Sequence, residues 1–180
     1  MTLDKFFNPS SVAVIGASRQ KGKVGFDILA NLVAAGFEGA IYPVNPKADE
    51  VLGLKCYPDI ASLPKAPDLA VIVLPAPLVP EAIGALGDKG TQAAVVISAG
   101  FKETGPAGLA LEEQTVGRAR AAGVRFLGPN CLGVASTSAK LNASFGAMPL
   151  PGSIGLISQS GALITGVLDT AEAQKIGFSS

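Results

Sequence analysis

Residues 11–25, SVAVIGASRQKGKVG, contain the clearest strand, turn and helix pattern of the chain. The run Ser11–Ile15 predicts a buried strand, and the glycines that follow it predict a tight turn. The apolar period of residues 24–35 predicts a helix that Gly36 ends. At such a turn, free backbone N–H groups and the helix dipole favour a bound anion. The segment therefore predicts an α/β fold with a phosphate site after the first strand.

The alternation of short apolar runs with Ala-, Leu- and Gly-rich stretches continues along most of the chain. Further strands are predicted at 40–44, 69–74, 93–98 and 125–127, and further helices at 59–63, 78–89 and 108–122. Continuous apolar strands separated by helices are typical of a parallel sheet covered on both faces. We therefore expect residues 1–130 to form an α/β domain with a doubly wound, Rossmann-like parallel sheet.

The sequence changes character after residue 130. Residues 131–152 are rich in Ser, Gly, Ala and Pro without a clear period, which predicts a crossover linker. Residues 153–158 then predict a new buried strand, and residues 161–176 predict a new helix. Because one strand and one helix cannot bury a core by themselves, we expect residues 153–180 to be the truncated start of a second domain.

Composition excludes several classes of protein. Hydrophobic residues make up 48% of the 180 residues, which excludes intrinsic disorder. The 14 basic and 14 acidic residues cancel, so no nucleic-acid partner is expected. Histidine is absent, which excludes histidine-based acid–base chemistry, phosphohistidine chemistry and histidine-ligated metal sites within these residues.

The cysteines and the apolar runs indicate the compartment. Cys56 and Cys131 lie far apart and form no CxxC pair, so we expect neither a disulfide framework nor a zinc site. A reduced, cytoplasmic protein is the simpler interpretation. Gly or Pro interrupts every apolar run well before the roughly 18 residues of a membrane helix, so no membrane span is expected.

The turn after the first strand has the residues of a phosphate loop. Backbone N–H groups there would hold one phosphate, and the cations at positions 19, 21 and 23 suit more than one. The alternative is a turn whose glycines merely permit tight packing. The candidate binding residues of this glycine loop are Gly16, Ser18, Arg19, Gln20, Lys21 and Gly22.

These residues alone leave the identity of the nucleotide open. Ala17 replaces the second glycine of a dinucleotide fingerprint, and no acid follows the second strand until Asp49 and Glu50, whereas one at the strand end would grip the ribose hydroxyls. Lys47 stands near that point and favours a phosphate on the ribose, which both NADP and coenzyme A carry. As an alternative, Lys47 is an ordinary solvated loop lysine.

Ligands in doubly wound sheets bind beyond the carboxyl ends of the strands, so the loops there are the next candidates. Pro75 and Pro77 form a stiff turn that suits an apolar wall for an adenine or a pantetheine arm, or that simply ends the strand. Ser98 is small enough for a cofactor to approach the backbone, and Asn130 offers both a donor and acceptors. Cys131 predicts a packed thiol rather than a nucleophile, because no histidine exists to activate it.

Six motifs in order carry a family resemblance. They resemble the N-terminal part of the NDP-forming acyl-CoA synthetases, which include ADP-forming acetyl-CoA synthetase and, more distantly, the alpha subunit of succinyl-CoA synthetase. The resemblance implies a CoA-binding domain at residues 1–130 and the start of a succinyl-CoA-synthetase-like, flavodoxin-like domain at 153–180. The motifs are GAS at 16–18, YPVNPK at 42–47, LPAP at 74–77, ISAGFKE at 97–103, GPNC at 128–131 and GLISQSGAL at 155–163.

The resemblance also implies roles for individual residues. Residues 18–21 would contact the CoA phosphates, and Lys47 would contact the nucleotide end. Ile97, Ser98 and Ala99 would line the pantetheine, and Asn130 would lie towards the thiol. The succinyl enzyme has an acid where Ala99 stands, so a role of that acid in handling the thiol is not inherited.

A second strand-to-helix loop consists of Ser158, Gln159, Ser160 and Gly161. Its free amides and hydroxyls can hold a phosphoryl group, but ordinary helix capping by Ser160 accounts for the residues equally well. By resemblance, this helix points its N-terminus at a phosphohistidine of the complete enzyme. That histidine takes the phosphoryl group of an acyl phosphate and passes it to a nucleoside diphosphate held by an ATP-grasp domain.

We therefore expect a chain that binds CoA or acyl-CoA, carries no catalytic residue of its own and forms no acyl-CoA alone. ATP, ADP and magnesium would bind only to an ATP-grasp domain or beta subunit outside these residues. Two alternatives stay open: the scaffold of a protein lysine acetyltransferase and an NAD(P)-binding regulatory module. The apolar run at 153–158 is compatible with a homo-oligomer, and the acyl substrate cannot be predicted.

Overall fold

The computed structural model describes residues 3–180 of the protein. Within that range no helix is both long enough and apolar enough to cross a membrane. The helices are α1 (Asp4–Phe7), α2 (Val24–Ala34), α3 (Val79–Lys89), α4 (Pro106–Ala121) and α5 (Gly161–Ala173). The strands are β1 (Ser11–Ile15), β2 (Ala40–Val44), β3 (Glu50–Val51), β4 (Leu54–Lys55), β5 (Leu69–Ile72), β6 (Ala93–Val96), β7 (Arg125–Leu127), β8 (Gly133–Ser136), β9 (Leu141–Ser144) and β10 (Pro151–Ile154).

Five of these strands form one parallel sheet in the order β2-β1-β5-β6-β7. β1 lies between β2 and β5, with Val12 opposite both Ile41 and Leu69. Every residue of β1, β5 and β6 is buried, as expected for strands with both faces covered. The predicted doubly wound α/β fold is therefore confirmed. β5 and β6 each end two residues earlier than predicted, and the loops of the candidate site begin there.

Alternate residues of β1 pack into two different hydrophobic cores. Val12 and Val14 lie in the core that also holds Leu29 of α2. Ala13 and Ile15 lie in the core that contains buried residues of α3 and α4. Burial of each large aliphatic side chain contributes about 1.5–3 kcal/mol, so helices on both faces hold the sheet and its carboxyl edge in place.

The segment predicted as a linker contains regular structure that the sequence did not predict, at Gly133–Ser136 and Leu141–Ser144. β8 and β9 pair as an antiparallel hairpin, and Leu141 and Ala143 are buried in the core shared with α2. The two polar residues of β9, Asn142 and Ser144, are buried as well. The strand thus alternates apolar and polar residues over only four positions, and all four are buried, unlike in a half-buried strand.

Two local predictions between β2 and β5 also differ from the structure. Residues 59–63 form turns rather than a helix, and the Ser62 backbone N–H donates to the Asp59 carboxylate at 2.7 Å within them. A small hairpin, β3–β4, precedes them and was not predicted. Its turn places Leu52 at φ 53° and Gly53 at φ 77°.

The last strand and helix are largely exposed. Residues 153–158 were predicted as a buried strand, but β10 ends at Ile154, all its residues are exposed, and Ile157 is 95% exposed. Within residues 3–180, the bridges of β10 are isolated ones to Phe178, which explains the exposure. The predicted helix is present as α5. The division into a domain at 1–130, a linker at 131–152 and a second domain from 153 stays a prediction.

Candidate functional site

A cavity of about 800 Å³ lies at the carboxyl edge of the sheet. The ends of β5, β6 and β7 form one wall, and the start of α5 forms the other. A crevice beyond the carboxyl ends of the strands is the usual ligand site of a doubly wound sheet. The cavity brings together seven of the predicted site residues: Pro75, Ile97, Ser98, Ala99, Asn130, Gln159 and Gly161.

The glycine loop adjoins this cavity through Val24, the first residue of α2. Gly16 has φ 93°, and a Cβ there would lie 2.5 Å from the carbonyl oxygen of Val73, so another residue would push the loop away from β5. A Cβ on Gly25 would collide with the carbonyl oxygen of Gly16. Gly16 and Gly25 therefore permit the tight packing that the sequence offered as one interpretation of this turn.

The same loop also keeps the features of an anion site. α2 begins after Lys23 without a side-chain cap, so its first amides are available to an acceptor from outside the helix. The Gln20 backbone N–H donates to Ser18 Oγ at 3.0 Å, which orders the turn. Tight packing and anion binding are thus compatible in one loop.

Lys47 is held next to the glycine loop by a residue to which the sequence assigned no role. Asn45 Nδ2 donates to the carbonyl oxygen of Ala17 at 2.6 Å, and Asn45 Oδ1 accepts from the Lys47 backbone N–H at 2.8 Å. One amide side chain therefore ties the end of β2 to the first strand's loop. The pair Asn45-Pro46 after the strand was the sequence signal for this role, because an asparagine side chain commonly bonds the backbone of its own turn.

The cavity and its surroundings differ in charge. Its described lining contains no Asp, Glu, Lys or Arg side chain, and residues 3–180 contain no group of His, Cys, Asp and Glu that could hold a metal ion. The cations of the glycine loop and Lys47 are exposed outside the lining, and no ion pair within residues 3–180 involves them. This arrangement suits a ligand with an anionic end and an uncharged end.

The loops after β5 and β6 form the middle of the cavity. Pro75 lines it, whereas Pro77 lies in a short 3-10 helix at Ala76–Leu78 and outside the lining. Ser98 is buried, with its Oγ at 3.5 Å from the carbonyl oxygen of Ile72. Backbone atoms and small side chains therefore form this part of the lining, as the sequence predicted for a site where a cofactor approaches the backbone closely.

Asn130 and Cys131 follow β7. Asn130 has φ 53°, and its N–H donates to the Ser98 carbonyl oxygen at 2.9 Å. The Cys131 thiol donates to the Val96 carbonyl oxygen at 3.4 Å, and burial raises its pKa to about 11. A thiol that stays protonated at neutral pH is a poor nucleophile, which supports the expectation of a packed thiol.

The second loop has the capping geometry that the sequence left as one of two interpretations. Ser160 Oγ accepts from the Leu163 N–H at 3.3 Å, and Ser158 Oγ accepts from the Ser160 N–H at 3.0 Å. Neither serine lines the cavity, although Gln159 and Gly161 do. The serines order the start of α5, whose residues Gly161, Ala162 and Thr165 line the cavity.

Sequence reasoning missed the apolar part of the lining, above all Leu132 and Phe145. The Phe145 N–H lies 3.4 Å from the Leu132 carbonyl oxygen, so the two residues are neighbours across the hairpin. Both stand in a stretch that was predicted as a linker. No local pattern marked them, since isolated apolar residues in a Ser- and Gly-rich stretch have no period.

Comparison with known proteins gives consistent matches. A family model described as a CoA binding domain matches residues 10–137. The chain is 48% identical over 178 residues to the ADP-forming acetate–CoA ligase I of Archaeoglobus fulgidus, covering 98% of this chain and 26% of that protein. It is 47% identical over 185 residues to the alpha subunit of ADP-forming acetate–CoA ligase I of Pyrococcus furiosus, covering 100% of this chain and 40% of that subunit. The apo structure of the dinucleotide-forming acetyl-coenzyme A synthetase 1 of Ca. Korarchaeum cryptofilum has a TM-score of 0.94 and 46% identity, covering 99% of this chain and 39% of that one.

A doubly wound sheet with a cationic glycine loop and an uncharged cavity at one edge defines a domain that binds a phosphorylated cofactor. The matches then identify the family: the chain belongs to the family of CoA binding domains, and nearly its whole length is similar to part of the ADP-forming acetate–CoA ligases. Its cofactor is therefore coenzyme A. The chain spans 26% and 40% of the length of the two ligases. Neither the acetyltransferase scaffold nor the NAD(P) module finds support in these matches.

Proposed function

We propose that these residues hold coenzyme A in the cavity at the carboxyl edge of the sheet. They do so as part of a protein that interconverts an acid, CoA and ATP with an acyl-CoA, ADP and phosphate. The observation that carries the proposal is the continuity of the cavity. It adjoins the glycine loop at Val24 and the second loop at Gln159 and Gly161, so one elongated ligand could reach from the first phosphate site towards the second.

The charges indicate how the cofactor would lie. Its diphosphate would meet the exposed cations and free amides of the glycine loop, and its 3′-phosphate would meet Lys47, which Asn45 holds beside that loop. The uncharged pantetheine would run past Pro75 and residues 97–99. The thiol would then lie near Asn130, at the end of the cavity farther from the cations.

The second loop would serve the phosphoryl group rather than CoA. The first amides of α5 point outward from a helix that Ser160 caps, and helix N-termini stabilise anions there. A phosphohistidine would come from outside residues 1–180, because histidine is absent from them. No residue of the described chain is assigned a bond-making role, so its own part is to bind and orient CoA.

Further parts of the protein and its location belong to the same proposal. An ATP-grasp domain or a beta subunit would bind ATP, ADP and magnesium, which fits a relative that is described as an alpha subunit. A cytoplasmic location fits the two free cysteines, Cys56 and Cys131. Self-association through the exposed apolar residues Ile154, Ile157 and Leu163 is also part of the proposal.

Calorimetry with CoA and dephospho-CoA tests the proposed function. CoA should bind more tightly, and Lys47→Ala should weaken CoA binding about tenfold or more, since a charge-assisted bond contributes about 1.5–3 kcal/mol. The same change should leave dephospho-CoA binding nearly unaltered. Lys65→Ala removes an equal charge from an exposed loop away from the cavity and is the control. Equal affinities of the wild-type chain for both ligands would contradict the role of Lys47, and no binding of CoA would contradict the function.

A further inference from the structure

Asn45 is the first residue after β2, at the carboxyl edge of the sheet. In a dinucleotide site, an acid at this place accepts a hydrogen bond from a free ribose hydroxyl. This chain has an uncharged amide there instead, and Lys47 follows two residues later. The end of β2 is therefore the place where the site differs in charge from one that binds an unphosphorylated ribose.

Both polar atoms of the Asn45 side chain are bonded to the backbone. Its Nδ2 donates to the Ala17 carbonyl oxygen at 2.6 Å, and its Oδ1 accepts from the Lys47 N–H at 2.8 Å. Asparagine offers a donor and an acceptor at once, whereas a carboxylate only accepts and an alanine side chain does neither. Neither an acid nor a small apolar residue would therefore make this link between the glycine loop and Lys47.

The backbone of Asn45 is held as well, so the link has a fixed origin. The Asn45 N–H donates to the Tyr57 carbonyl oxygen at 2.9 Å, and the Tyr57 N–H donates to the Pro43 carbonyl oxygen at 2.9 Å. Asn45 itself is partly buried, whereas Lys47 is exposed and forms no ion pair within residues 3–180. The structure thus fixes where the lysine side chain begins and leaves its ammonium group accessible to a ligand.

We propose that Asn45 is the residue by which this site selects a ribose that carries a phosphate over one whose hydroxyls are free. The inference rests on the proposed function and adds its determinant of cofactor specificity. Asn45 is a positioning residue: it holds Lys47 beside the glycine loop, so that one ligand meets both. Without the link, Lys47 would be an ordinary lysine of an exposed loop, and ordering its side chain would offset most of the attraction to a phosphate.

The test measures the ratio of CoA affinity to dephospho-CoA affinity by calorimetry. The two ligands differ only in the 3′-phosphate, so the ratio reports the contact with Lys47 and cancels general damage to the fold. Asn45→Ala should lower the ratio about threefold to tenfold, as for the loss of one hydrogen bond. Asn45→Asp should lower it further, because a carboxylate repels the phosphate. Since Asn45→Asp keeps the size of the side chain, it also provides the measurement if the alanine variant does not fold.

A double-mutant cycle with Lys47→Ala separates positioning from a direct contact. If Asn45 acts through Lys47, Asn45→Ala should not lower the ratio further in a chain that already carries Lys47→Ala. Additive losses would overturn the proposal, because Asn45 would then act on the phosphate independently. A ratio that Asn45→Ala leaves unchanged would overturn it too, since a residue that only supports the fold lowers both affinities equally.

Asn8→Ala and Asn8→Asp are the matched controls. Asn8 is exposed, stands before β1 at the opposite edge of the sheet, and bonds Asp4 Oδ1 at 3.1 Å. Both changes should leave the ratio within about twofold of the wild type, and a fall equal to that of the Asn45 variants would overturn the proposal. Failure of the proposed function is distinguishable, since it would appear as a wild-type chain that binds no CoA.

Discussion

Glu103 shows how one exposed carboxylate can order a binding loop. Its Oε1 accepts from the Gly100 N–H at 2.6 Å, directly after Ala99, which lines the cavity. Glu103→Ala should weaken CoA binding about threefold to tenfold, the range for loss of one such bond. Glu103→Gln should keep most of the affinity, because its amide oxygen can accept the same bond. Calorimetry at neutral pH measures both, and equal affinities of the alanine variant and the wild type would contradict this role.

The same carboxylate predicts a pH dependence. The hydrogen bond from Gly100 is the main cause that lowers the pKa of Glu103 below its ordinary value of 4.5. Since the folded pKa is lower than the unfolded one, the contribution is complete above the ordinary value and is lost as the pH falls through the lowered pKa. CoA affinity of the wild type, measured from about pH 5 to about pH 3, should therefore fall more than that of Glu103→Gln. Parallel curves would count against the assignment.

The β8–β9 hairpin depends on its buried polar network. Asn142 is only 2% exposed, and its side chain bonds both the Gly146 carbonyl oxygen and the Ser144 hydroxyl. Asn142→Ala leaves buried groups unpaired and should lower the free energy of unfolding by about 1–3 kcal/mol. Urea unfolding measures this change. Asn8→Ala removes an exposed asparagine with one solvent-exposed bond and should cost about 0.5 kcal/mol or less; an equal loss in both variants would contradict the network's role.

The β8–β9 hairpin also shows why some strands could not be predicted from the sequence. β1, β5 and β6 are runs of apolar residues, buried on both faces, and local pattern was enough to place them. Asn142 and Ser144 are buried in β9 because they bond each other and Gly146 of the turn, while Asn31 of α2 donates to the Ser144 carbonyl oxygen. Those partners lie far away in sequence or depend on the turn itself, so no window of residues around β9 contains the signal.

At the scale of the whole molecule, several apolar side chains near the C-terminal elements are exposed. Ile154, Ile157 and Leu163 each keep about half or more of their surface accessible, and exposed apolar patches favour association. Light scattering at rising concentration should show species larger than one chain, and Ile157→Glu should reduce them. Leu109→Ala, which removes an exposed apolar side chain from α4, is the control and should leave the larger species unchanged. A single-chain mass at all concentrations would contradict the prediction.

The local chemistry of the chain was enough to determine the parallel sheet, the glycine loop and Lys47 as a candidate for a ribose phosphate, because strand pattern, turn glycines and charge are properties of neighbouring residues. Strand order and packing alone decided which loops share a cavity. They brought Asn130 next to Ser98, added Asn45 as the link between Lys47 and the first loop, and set Phe145 opposite α5. These contacts join residues far apart in the chain, and their geometry exists only after the sheet has formed.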